Sequence, residues 1–170
     1  MKYEITDETK KVNGITLRRI KALRDIERYD VKAGNLGGWV ESENNLSQVG
    51  DAWVLGDARV YGDARVYGDA EVCGDAEVCG NAEVYGDARV YGDADFTVFK
   101  NSWTSGRYFT YTRSNKMWCV GCFYGTGEEL IKKAYADSEL SGRCYEAIVR
   151  AVEEIEKTKA KLGEPKGGAE

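Results

Sequence analysis

Val60 to Ala94 reads "VYGDARVYGDAEVCGDAEVCGNAEVYGDARVYGDA", one six-residue pattern repeated without a slip. Val recurs at 54, 60, 66, 72, 78, 84 and 90, and Phe96 takes the next place. Ala recurs at 52 through 94 and Gly at 50 through 92, with Asp after each Gly except at Asn81. A strict short period means one structural unit used again and again. Within each "A-x-V-x", alternation turns Ala and Val to one face and the two variable residues to the other. Gly followed by Asp or Asn supplies the bend, because both tolerate left-handed backbone. Each hexad is thus a short strand plus a corner. The 20 glycines and single proline fit many tight turns in regular structure rather than disorder.

The residues before each Val, and before Phe96, are Trp53, Arg59, Arg65, Glu71, Glu77, Glu83, Arg89 and Asp95. If three hexads make a turn, residues 18 apart stack: Arg59 on Glu77, Arg65 on Glu83, Glu71 on Arg89. All three pairs are opposite in sign, and only Glu77 on Asp95 is not. Two hexads per turn would set Glu71 on Glu83 and Glu83 on Asp95. Exposed cross-strand pairs contribute only about 0.2–1 kcal/mol each, so the preference for three is small.

An aliphatic residue with a small one four places on resembles the left-handed parallel β-helix, and the handedness rests on that resemblance. General crossover rules would give the right hand. The preceding stretch, "RRIKALRDIERYDVKAGNLGGWVESENNLSQVGDAWV", is similar to the N-terminal entry of YdcK-like β-helix proteins of bacteria and their phages. The shared features are the apolar strand, "VKAG", "GGWV" and "NLSQ". This chain departs from them in its shorter repeat and its added C-terminal segment. The family is labelled a transferase in places, but no catalytic residue carries over from it. "GCFYGT-EE" in turn resembles a segment of uncharacterised phage and prophage proteins, which implies a viral context.

The expected fold is therefore mainly β: a short left-handed parallel β-helix, three hexapeptides per turn, with an N-terminal β-hairpin cap and a C-terminal α+β module. Charge marks its boundaries. Residues 1–35 carry nine basic and six acidic side chains, 36–97 three and thirteen, and 98–170 twelve and ten. We read 1–35 as the cap, 36–97 as the repeat, 98–163 as the α+β module and 164–170 as a flexible tail. "KYEIT" and "ITLRRIKAL" flank a "VNG" turn as a hairpin. "DFTVF", "RYFTYTR" and "KMWCVGCFY" read as strands. Thr126 and Glu129 form a capping box. A second helix begins near Ser141, with Cys144, Ile148, Ala151, Val152 and Ile155 as its apolar stripe, and Gly163 and Pro165 end it.

The chain contains no histidine. Hexapeptide acyltransferases and β-helix carbonic anhydrases both depend on histidine, so neither mechanism has its central residue. Cys119 and Cys122 form a "CVGC" pair, but no second pair stands at zinc-finger spacing. No metal, cofactor or catalytic residue is expected, and the thiols, five in number, read as free and small. Cys73 and Cys79 lie one hexad apart on adjacent faces, too far for a disulfide. No apolar leader or membrane-length apolar run is seen, so the expected compartment is the cytoplasm, that of the host if viral. The basic cluster Arg18, Arg19, Lys21 and Arg24 reads as a solvated strand face, and nucleic acid is not expected.

Two surfaces remain as candidates. The residues after each Val include Tyr61, Tyr67, Tyr85 and Tyr91, columns that would join chains into a homo-oligomer, a trimer by preference. Arg107, Phe109, Tyr111, Arg113 and Trp118 share one C-terminal hairpin and would stack on and neutralise a small ligand. The expected function is a non-catalytic, oligomeric binding protein of phage or prophage type, engaging a host protein or sequestering a small, nucleotide-like ligand. A transferase-like enzyme and a structural virion component are the alternatives.

Overall fold

The computed structural model describes residues 1–163. The tail expected at 164–170, and Pro165 as the expected helix stop, lie outside them. The chain divides into two compact units, Met1–Tyr124 and a second beginning at Gly125.

The regular left-handed parallel β-helix expected from the hexads is not found. The first unit is instead a set of small sheets, mixed and parallel, and two helices close the chain. The reason is local. Each hexad spends four residues on its corner and leaves two for the strand, as in Arg59–Val60 or Glu71–Val72. Nor is the N-terminal hairpin a separate cap. Its strands β1 (Tyr3–Val12) and β2 (Ile15–Ala22) run directly into β3 (Leu36–Val40), β5 (Arg59–Val60) and β8 (Glu77–Val78), forming one mixed five-stranded sheet.

Two smaller sheets are wholly parallel. One orders β10 (Arg89–Val90), β7 (Glu71–Val72) and β4 (Trp53–Val54); the other pairs β6 (Arg65–Val66) with β9 (Glu83–Val84). Each parallel pair of hexads joins residues 18 apart, including Arg59 with Glu77 and Val60 with Val78. Arg59 meets Glu77 at 3.3 Å and Arg89 meets Glu71 at 3.6 Å. The Val and Ala side chains of the hexads from Ala52 to Val90 are fully buried, together with Val40, Leu46 and Trp53. β11 (Phe96–Lys100), β12 (Tyr108–Thr112), β13 (Met117–Val120) and β14 (Phe123–Gly125) then form a four-stranded sheet, antiparallel from β11 to β13.

Short parallel strands leave edge carbonyls and amides that need partners. Within the repeat, the strand amide donates to the Ala carbonyl 17 residues on, as from Trp53 to Ala70 and Glu71 to Ala88. At the N-terminal edge, side chains replace those amides. Asn45 Nδ2 donates to Gly62 O and Ala64 O, and Lys2 Nζ donates to Ala52 O at 2.6 Å. At the C-terminal edge, side-chain oxygens accept instead. Asp93 Oδ1 takes the Glu77 amide, Thr110 Oγ1 that of Glu83, and Ser114 Oγ that of Arg89. Gln48 ties β1 down by accepting from the Lys2 and Tyr3 amides and donating to Tyr3 O.

Lys2 is only 1% exposed. Burial and the nearby Arg24 guanidinium lower its pKa from 10.5 to about 8, against the pull of Asp51 and Asp69. Between these values the unfolded chain binds a proton that the folded chain lacks. Stability is therefore expected to rise from about pH 8 to about 10.5. Thermal melts across that window check this, and Lys2→Met should remove this group's share of the rise. An identical profile in the variant would show that Lys2 is charged and well solvated in the folded state.

The second unit is a helical hairpin. α1 (Gly127–Asp137) begins at the Thr126 capping box: Thr126 Oγ1 accepts from the Glu129 amide, and Glu129 accepts from the Thr126 amide. α2 (Glu139–Leu162) begins earlier than expected, with Ser138 as its N-cap. Its rotation also differs from the expected stripe. Ser141, Gly142, Tyr145, Val149 and Val152 are buried. Cys144 and Ile148 are half-buried, and Ala151 and Ile155 are exposed. Gly142 sets this rotation: a Cβ there would lie 2.2 Å from the Tyr135 ring, so only glycine lets that ring lie against α2.

Candidate functional site

The hairpin residues expected to bind ligand do not converge. β12 alternates, so Phe109 and Tyr111 share one face while Thr110 turns to the other. Phe109, Tyr111 and Trp118 are buried in an aromatic cluster, with Phe99 stacked on Phe109 at 5.5 Å and Tyr111 at 5.1 Å from Trp118. These rings form core. Arg107 and Arg113 flank the strand six residues apart, on the order of 20 Å along extended chain, too far to grip one phosphate.

The tyrosine columns are mostly covered by the chain's own ends. Tyr61 packs with Leu17 and Trp39, and its hydroxyl donates to Glu77. Tyr67 stacks on Tyr85 at 4.5 Å, and Tyr85 meets Tyr124 edge-on at 4.7 Å. Tyr91 alone of the four stays open, at 55% exposure. The hexad pattern marks these rings as outward; it carries no sign of which distant segment will cover them.

Cys119 and Cys122 separate. Cys122 is exposed, whereas Cys119 lies buried with its Sγ 3.1 Å from Tyr67 Oη and 3.5 Å from Glu83 Oε2. Burial pushes the Cys119 thiol up to about 12; the Tyr67 hydrogen bond opposes this and the Glu83 carboxylate adds to it. Burial, then the Glu71 carboxylate, pushes Cys73 up to about 11. Thiols held this high are poor nucleophiles near neutrality. Among the described residues, no group of three Cys, Asp or Glu is placed to hold a metal ion.

Among the hollows of the first unit, two bear on a ligand site. One, of about 650 Å³, is lined by Arg28, Asp87, Arg89, Ser114, Asn115, Met117 and Tyr124. Its polar groups already serve the fold. Arg89 is paired with Glu71, Ser114 accepts the Arg89 amide, and Asn115 donates to Asp87 and Tyr124.

The other is a groove with two adjoining lobes of about 390 and 510 Å³, which share Arg65, Glu83 and Gly121. Arg107, Tyr108, Asn81 and Asp63 line the first; Asn44, Ser47, Tyr67 and Cys122 line the second. Strand β6 presents Arg65, and the residue before β12 presents Arg107. Arg65 lies in register with Glu83, yet Glu83 accepts from Cys119. Among the described residues neither Arg65 nor Arg107 makes an ion pair. Of the groove residues, the sequence pattern marks only Arg107 as a ligand contact. Arg65 was hidden because its charge pattern read as one more stacked pair.

No protein-family model matches the chain, and no curated protein matches it. Among the described residues no helix is long and apolar enough to cross a membrane.

Proposed function

We propose that the chain is a non-catalytic binding protein of phage or prophage type whose groove at Arg65 and Arg107 takes a small anionic ligand of nucleotide class. The observation that carries this reading is the pair of guanidiniums without acidic partners lining one groove. Guanidiniums bind phosphate through charge-assisted, often bidentate hydrogen bonds. Asn44, Asn81 and Ser47 supply neutral polar groups for sugar hydroxyls or base edges, Asp63 and Glu83 accept from them, and Tyr108 offers an amphipathic ring. The missing histidine and the raised thiols favour holding a ligand over transforming it.

Isothermal titration with nucleoside mono- and diphosphates and cyclic dinucleotides tests the reading, beside mass spectrometry of ligand carried through purification. Binding of one class is expected, with a loss of about tenfold or more in Arg65→Ala and in Arg107→Ala. Both residues are solvent-facing, so their variants should keep the wild-type melting temperature. No binding by any probe and no copurified anion would retire the small-ligand reading in favour of a host protein. Turnover of a bound probe would retire the non-catalytic one.

A further inference from the structure

Beside the buried face of α2 runs a second line of residues, half-buried at Cys144 and Ile148 and exposed from Ala151 onward. Cys144, Ile148, Ala151, Ile155, Thr158 and Leu162 follow one another at spacings of four, three, four, three and four. That alternation is the a/d pattern of a heptad, with Ile148, Ile155 and Leu162 at a and Cys144, Ala151 and Thr158 at d. Ile155 is 54% exposed and Leu162 81%. Branched apolar residues hold the a position three times over two heptads, at Ile148, Ile155 and Leu162, where a merely solvated face would carry polar ones.

We propose that this line is the seam of a parallel coiled coil with α2 of a second copy of the chain. Charge selects both the occupant and its direction. Glu154 falls at g and Lys159 at the e position five residues on. In a parallel pair, g of one helix faces the following e of the other, so Glu154 meets Lys159 of the second copy, twice by symmetry. Within one copy, Glu154 makes no ion pair among the described residues, and Lys159 reaches only Glu156, at 3.9 Å. An antiparallel pair sets e against e, where Lys159 would face Tyr145, Val152 or another Lys159. The seam is independent of the ligand groove, since all its residues belong to the second unit.

Cys144 reports the geometry without engineering. In a parallel pair the two Cys144 residues face each other at the same d layer. Diamide should then join them: each thiol gives up one hydrogen, the sulfurs bond, and diamide is reduced to its hydrazide. Light scattering of the full chain at micromolar concentration should give a dimer, and peptide mapping after diamide should give a Cys144–Cys144 bridge between chains. Ile155→Lys changes an exposed residue, so its circular dichroism should match wild type while dimer dissociation rises about tenfold or more. Glu154→Lys and Lys159→Glu should each weaken the dimer, and the double variant should recover it. A wild-type monomer, a dimer indifferent to Ile155→Lys, or no recovery in the double variant would overturn the proposal. A dimer in which Cys144 fails to bridge would overturn its parallel direction.

Discussion

Val72→Asp is expected to abolish cooperative folding of the first unit. Val72 is fully buried, paired in register with Val54 on one side and Val90 on the other. Its neighbours in the core are Val and Ala side chains of the hexads. An aspartate there would be buried without a donor, which costs several kcal/mol whether the carboxyl stays charged or takes a proton. That is a large share of the stability of an ordinary domain, about 5–15 kcal/mol. Two companions keep the test readable if the variant cannot be purified. Val72→Ala should fold and lose about 2 kcal/mol by leaving a small cavity. Val49→Asp, at a residue 80% exposed, should change little. A Val72→Asp melting curve that overlays wild type would show that the valine column does not face the core.

The second large effect is expected at Gly38. A Cβ there would lie 2.5 Å from Val54 Cγ1 and 2.6 Å from the Ala58 carbonyl oxygen. Gly37 is as tight, 2.6 Å from Ile20 Cγ1 and 2.7 Å from Val54 O. Neither glycine stands at positive φ; what both need is space. Gly38→Ala must push apart β3 and the first hexads, where Trp39 N donates to Ala58 O. Overpacking of this kind costs about 1–3 kcal/mol or more, a fall in melting temperature of roughly 2–12 °C for a chain of this size. Gly14→Ala is the control for space, since nothing stands within 4 Å of its added Cβ; any cost there comes from its φ of +83°. An unchanged melting temperature in Gly38→Ala would mean that β3 does not pack on the hexads.

The period of six made the inward residues legible, because Val and Ala recur at fixed places and burial follows from alternation. The 18-residue spacing was legible in the signs at Arg59, Glu77, Glu71 and Arg89. The regular β-helix inferred from that period was not found, because the hexads give two-residue strands that form several small sheets, and the hairpin β1–β2 joins one of them through the longer strand β3. The cover over Tyr61 and Tyr67 depends on contacts with Leu17 and Cys119, far away in sequence. No local pattern encodes them. The rotation of α2 turned on the space at Gly142, which hydrophobic periodicity does not score. In the groove, Arg107 was visible as a charge beside aromatics. Arg65 became distinct only when Glu83 was found engaged with Cys119 rather than with it.

The side chains that close the two edges of the repeat also constrain how its length can change in evolution. Lys2 and Asn45 serve the carbonyls of particular hexads, and Asp93, Thr110 and Ser114 serve the amides of three others. Inserting one hexad would shift everything after it by a third of the 18-residue pairing register and bring each oxygen to the wrong amide. Inserting three restores every match. Lineages of this chain should therefore lengthen or shorten in blocks of 18 residues, and an indel of six should survive only beside a redesigned terminus.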